Sequence, residues 1–206
     1  MQEFTTPPRV LSWMDDSPHA ALARFARYRP TARSIRGRRF WSVPEGGVCL
    51  SAFIVLRPSE TSTKVLLGRP DPRAPWAQMA TLEDAHVRSI GNRWILPASH
   101  LLEFESPTDS AQRILRQQLE ITDLPLQGPE VFSEAYTSVI DPESGAHWDL
   151  HFVFRGEWPS GEPPRAAAWR ELTFVEPRTL TRADIARGHA DILGLAGRPV
   201  GEPGSR

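Results

Sequence analysis

The run VCLSAFIVL, residues 48–56, is apolar at every position except Ser51. A strand with one wet face alternates apolar and polar residues, whereas a nearly continuous run of this kind is a strand covered on both faces. A sheet containing it needs a layer of structure on either side, which points to an α/β architecture. At 206 residues the chain accommodates one such domain and an extension.

The remaining segments can be read against that strand. PSETST is a turn and KVLLG a second strand, so residues 48–68 predict a hairpin. Residues 69–93 carry three prolines without a defensible period and predict a long loop with a helical turn around Leu82 to Val87. Ser106-Pro107-Thr108-Asp109 places an N-cap serine, proline at N1 and an acid at N3, and the stripe Ala111, Ile114, Leu115 and Leu119 follows at helical spacing. This helix is expected to end near Ile121. VFSEAYTSVI and HWDLHFVFRGEW read as strands joined through DPESG, AAWRELTFVEP as a short strand, and TRADIARGHADILGL as a closing helix. Upstream, Ser17-Pro18 predicts a short helix ending before Pro30, and the tail from residue 196 reads as frayed.

The stretch from Trp94-Ile95-Leu96-Pro97 through Glu105-Ser106 into the helix resembles the Nudix hydrolase family. That family's signature is a glycine, five residues, a glutamate, seven residues, then arginine, glutamate, an aliphatic residue, any residue, two glutamates, any residue, glycine and an aliphatic residue. Here Ser99 stands at the first glycine, Glu105 matches the first glutamate, Arg113 the arginine, and Leu115 and Ile121 the aliphatic places, with no gap in the spacing. The resemblance spans residues 45–195. It implies a Nudix-like α/β/α sandwich with a mixed β-sheet, to which residues 1–44 add an arginine-rich helical extension and residues 196–206 a flexible tail.

The departures from the signature fall on the chemistry. Ile114 replaces the glutamate after the arginine, Gln117 and Gln118 replace the paired glutamates, and Glu120 replaces the closing glycine. The resemblance implies cleavage of a diphosphate with Mg²⁺ or Mn²⁺ bridging phosphates and helix glutamates. Such ions take anionic oxygen ligands and lower the pKa of an attacking water. A glutamine offers one neutral carbonyl oxygen instead, so Glu105 is left as the candidate catalytic and metal residue. Glu103 and Glu134 are further candidates for the metal, and His100 and Glu120 are others near the motif. Arg113, Gln117 and Gln118 are candidates for holding an anionic substrate through their N–H groups. The plainer role for Arg113 and Glu105 is an internal ion pair bracing loop against helix.

In HWDLH, the side chains of His147, Asp149 and His151 share one strand face. Neighbours on such a face lie about 6.5–7 Å apart, too far for three of them to grip one ion, so a ligand pocket or an exposed face is the better reading. Trp94 is a candidate for stacking on a flat ligand, against the commoner fate of core packing. Seven arginines between positions 24 and 39, with no acid among them, are a candidate anion-binding or RNA-binding arm, against the plainer reading of a solvated face.

Composition narrows the setting. The formal charge of -1 gives no general pull toward nucleic acid or membrane. The single cysteine, Cys49, excludes an intrachain disulfide. No apolar run approaches the ~18 residues of a membrane span, and no signal peptide opens the chain, so a cytoplasmic protein is expected. One lysine against 23 arginines fits a GC-rich bacterial genome.

Three functions remain open. The first is a Nudix-fold protein that binds a phosphorylated small molecule or nucleotide with little or no hydrolysis and no metal cofactor. The second is a divergent Mg- or Mn-dependent diphosphate hydrolase. The third is a regulatory or RNA-binding module using the arginine-rich arm. Nudix relatives are often dimers, so a homodimer is also expected.

Overall fold

The computed structural model describes residues 34–35, 38–39, 48–79, 84–102, 105–137, 146–158, 162–186 and 188–194. The helix expected upstream of Pro30 and the tail from 196 lie outside them. Within the arginine run, β1 (Ser34–Ile35) and β2 (Arg38–Arg39) pair as a small antiparallel hairpin.

The double-covered strand is β3 (Val48–Arg57), and it sits inside a four-stranded mixed sheet. β5 (Ala98–His100) pairs with it antiparallel on one side, and β7 (Ala146–Glu157) runs parallel to it on the other. Beyond β7, β6 (Gln127–Thr137) pairs antiparallel and forms the edge. A second, two-stranded sheet joins β4 (Val65–Pro70) to β8 (Trp169–Val175).

The hairpin expected from residues 48–68 does not form, because β3 and β4 belong to different sheets. The segment 94–101 lies between them. Gly68 and Ile95 exchange both backbone hydrogen bonds at 2.9 Å, while the Ile54 N–H donates to Pro97 O and the Leu101 N–H to Leu50 O. Backbone donors and acceptors on that edge of β3 are therefore already paired, and a paired edge takes no second strand. Gly68 also lies under the Trp169 ring, where an added Cβ would come within 2.2 Å of the indole.

Alternation on β3 divides the core into two layers. Ala52, Ile54 and Leu56 face α3 (Pro107–Gln118), whose Ala111, Ile114 and Leu115 are fully buried against them. Phe53 and Val55 face the other way, packing with Val153, Leu67, Leu96 and Ile192. That last residue belongs to α4 (His189–Ile192). Helices on both faces of a mixed sheet make the α/β/α sandwich. Burying each large aliphatic side chain contributes about 1.5–3 kcal/mol, so each face is anchored separately.

Two other expectations need correction. The long loop holds two short helices, α1 (Trp76–Met79) and α2 (Asp84–Ile90), the second falling where a single turn was expected. The closing helix is confined to one turn, because Gly188 adopts φ 81° and Ile185 is drawn into a bridge with Trp94. Residues 181–184 instead form a turn in which Asp184 accepts from the Thr181 N–H and hydroxyl. Among the described residues, no helix is long and apolar enough to cross a membrane.

Candidate functional site

The motif helix begins as its sequence dictates. Ser106 is extended at φ -74° and ψ 157°, its Oγ accepts from the Asp109 N–H at 3.1 Å, and Pro107 opens the first turn. The last turn closes early, at Gln118, where the Trp169 indole N–H donates to the Gln118 carbonyl. Glu120, at the position of the signature's closing glycine, adopts φ 57°. That is the left-handed region, which favours glycine.

Arg113 is the centre of the motif. It is 7% exposed, and its Nε and Nη2 grip the two oxygens of Glu105 at 2.7 and 2.8 Å. Nη1 donates to Met79 O and Ser99 Oγ, and Nη2 also donates to His100 O and Ser110 Oγ. All three guanidinium nitrogens are thus engaged within the chain, joining α1, β5, the loop and α3. Glu105 is 8% exposed, and its Oε2 also accepts from the Leu102 N–H at 2.9 Å.

Gln118 is fully buried and closes its amide on a single peptide: Oε1 accepts from the Ala98 N–H and Nε2 donates to Ala98 O. Gln117 Oε1 is out of solvent without a hydrogen-bond partner among the described residues. Ile114 lies in the core layer under the sheet.

A divalent cation bound at this motif would need several oxygen ligands, preferably anionic. The residues present do not fit such an ion. Of the signature's four carboxylate positions, 114 is core aliphatic, 117 a neutral amide, 118 an amide locked to a backbone peptide, and Glu105 is held bidentately by an arginine. Among the described residues, no group of three His, Cys, Asp or Glu side chains is placed to hold a metal.

The HWDLH strand forms a separate constellation on the opposite face of the sheet. Register puts Ser51 beside His100 on β5 and beside His151 on β7. In the next row Cys49 lies beside Asp149, and Glu134 occupies the β6 position opposite Asp149. Asp149 and His151 are 7% and 4% exposed. The His151 ring meets Phe53 edge-on at 4.8 Å, and His189 approaches the same phenylalanine at 5.1 Å. His189 Nδ1 accepts the Leu96 N–H, which ties α4 to the segment before β5. Burial and the neighbouring Asp149 carboxylate push the Cys49 thiol up to about 12.

The candidates therefore divide between two faces: Glu105, Arg113 and Gln118 on the α3 side, Asp149 and His151 on the other. Trp94 is buried, with the Arg69 guanidinium 4.1 Å over its ring. Glu103 and the side chains of Glu134 and His147 lie outside the described residues. Cys49 and Ser51 were missed as site residues because the β3 run reads as a core strand despite its one polar residue, Ser51. Their parity with Phe53, at alternate positions, was the available signal.

No family model and no curated protein matches this chain. Solved structures do. The dihydroneopterin triphosphate pyrophosphohydrolase of E. coli is 13% identical with a TM-score of 0.51, over 70% of this chain and 91% of that one. A MutT NUDIX hydrolase from Burkholderia pseudomallei is 14% identical with a TM-score of 0.48, over 72% and 98%. MutT from Methanosarcina mazei Go1 is 13% identical with a TM-score of 0.48, over 75% and 94%. The protein has the Nudix hydrolase fold.

Proposed function

We propose that this chain uses the Nudix fold to bind a phosphorylated small molecule or nucleotide-like compound with little or no hydrolysis. The observation that carries this reading is the state of the motif's ligand positions. Ile114 is packed into the core, Gln118 is clamped on Ala98, and both oxygens of Glu105 are held by Arg113. Electrostatic stabilisation is usually the largest catalytic term, and losing a single contributor can lower turnover about 10²- to 10³-fold. The ligand class draws on the fold relative named for a pterin triphosphate. The polar rows of Ser51, His100, His151 and Asp149 offer hydrogen-bonding groups for it.

The test is calorimetry with nucleoside and pterin triphosphates, with and without Mn²⁺, beside a phosphate-release assay. Saturable binding that does not need Mn²⁺, with no release above the blank, is the expected result. Mn²⁺-dependent turnover abolished by Glu105→Gln overturns it.

A second reading, a divergent hydrolase, has one observation in its favour: Glu134 and Asp149 occupy paired positions on adjacent strands. Directly opposite residues lie about 4.5–5.5 Å apart at Cβ, a separation at which two carboxylates can share an ion. Mn²⁺ binding that persists in Glu105→Gln but disappears in Asp149→Asn would favour it.

A further inference from the structure

Near the C-terminal end of β3, on the face that packs against α4, lies a cavity of about 430 Å³. Its apolar floor is built by Val55, Val65 and Ile192. Its polar wall is basic and hydroxylic: Arg57 closes β3, Arg155 projects from β7, Arg178 follows β8, and Ser62 and Thr63 come from the turn between β3 and β4.

The hydrogen bonding of this wall is lopsided. Glu176, one of its lining carboxylates, has both oxygens engaged: Oε2 accepts from the Thr63 hydroxyl and Oε1 from the Arg178 N–H. Arg155 is held in a fork by Glu130 outside the cavity, at 3.1 and 2.8 Å. Glu60 stands exposed at the rim. Arg57 differs from these: its Nε is out of solvent and donates to nothing among the described residues. A buried donor without an acceptor is rare enough in folded proteins to ask for an explanation. Here the Glu176 carboxylate is engaged, Glu60 lies at the exposed rim, and the Arg57 Nε–H is left over above an apolar floor.

We propose that this cavity is a binding site for a small organic oxyanion, a phosphate or carboxylate group carried on an apolar body. Arg57 supplies the principal contact and Arg178 the second. A planar guanidinium matches the oxygens of such a group with paired, charge-assisted hydrogen bonds. Val55, Val65 and Ile192 take the apolar body. The site lies beyond the polar rows of Ser51 and His151, about 20 Å along β3 from Ser51 to Arg57 at the usual rise per residue. It stands apart from the ligand reading given above and shares no residue with it.

The experiment is calorimetric titration of the full chain with phenyl phosphate, inorganic phosphate, benzoate and phenol. Phenyl phosphate and benzoate are expected to saturate, inorganic phosphate to bind more weakly, and phenol not to bind. Arg57→Gln should weaken phenyl phosphate roughly tenfold or more, as loss of a charge-assisted pair does. Arg57→Lys, which keeps the charge and the stem, should retain part of the affinity and guards against misfolding of the glutamine variant. Arg73→Gln, which removes an exposed arginine elsewhere, and Asp149→Asn, on the polar rows, should leave it unchanged. The proposal is overturned if phenyl phosphate does not saturate at ~10 mM, the scale of a contact worth only a few kcal/mol. It is equally overturned if Arg73→Gln weakens binding as much as Arg57→Gln.

Discussion

Arg113 is the structural hub of the motif. Its guanidinium organises α1, β5, the loop and α3 through six hydrogen bonds. Removing one member of a buried ion pair leaves the other charged and desolvated, which typically costs about 3–5 kcal/mol. Arg113→Ala and Glu105→Gln should therefore each lower the unfolding free energy by an amount of that order, read as a lower urea midpoint. A lysine at 113 should recover little, since an ammonium cannot reproduce the fork on Glu105. Equilibrium unfolding followed by tryptophan fluorescence checks this, and a change under 1 kcal/mol in both variants would remove the bracing role. Glu120 makes the complementary case. A non-glycine residue in the left-handed region costs about 1–2 kcal/mol, partly offset here by the exposed hydrogen bond from the Ala167 N–H to Glu120 Oε1. Glu120→Gly should stabilise the protein by about 0.5–1 kcal/mol, read as a higher urea midpoint with unchanged slope.

At the scale of elements, the motif helix is legible from sequence because its signals are local. Ser106, Pro107 and Asp109 set its start, and the spacing of Ala111, Ile114 and Leu115 sets its buried face. What sequence does not carry is the partner of each amide. Gln117 and Gln118 read alike as lost carboxylates, yet only Gln118 is closed on the Ala98 peptide, a contact 20 residues away in the chain. This asymmetry bears on any attempt to restore a metal site. A glutamate at 118 can accept from the Ala98 N–H but cannot donate to Ala98 O, leaving two buried oxygens facing each other. Ile114 would still fill the third ligand position with core packing. The double variant Gln117→Glu with Gln118→Glu is therefore expected to lose about 2–4 kcal/mol of stability and to gain no Mn²⁺-dependent phosphate release. Recovered turnover at wild-type stability would show that the helix is a dormant metal site rather than a scaffold. The failed hairpin has the same root. Residues 48–68 contain every local signal for one, and the edge that β4 would have used is taken by residues 94–101, which no window around the turn can reveal.

At the scale of the whole molecule, the central four-stranded sheet has two unlike faces. The α3 face is closed by aliphatic packing and the arginine hub. The α4 face grades from the apolar layer of Phe53 and Val153 to the buried polar rows containing Cys49, Ser51, Asp149 and His151. The continuous apolar run identified β3 as central, but it concealed this gradient, because Cys49 and Ser51 count as small or apolar until their strand partners are known. Cys49 turns that placement into a measurement. Cys49 is buried beside Asp149 of β7, two residues before β3 begins its pairing with β5, so presenting its thiol to a reagent should require opening this part of the sheet. In the folded chain, burial and the Asp149 carboxylate push that thiol up to about 12, against about 8.5 when unfolded. A pKa raised by folding leaves stability intact below the unfolded value and removes it as pH rises toward the folded one. Stability should accordingly decline from about pH 8.5 upward, in the direction set by proton linkage, and the decline should be smaller in Cys49→Ala. At pH 8 the native thiol is buried and protonated, so iodoacetamide should label Cys49 through opened molecules. If the sheet opens as a unit, the labelling rate should rise with urea along the slope of global unfolding. A rate indifferent to urea would place Cys49 in a locally opening strand end and detach the polar rows from the cooperative core.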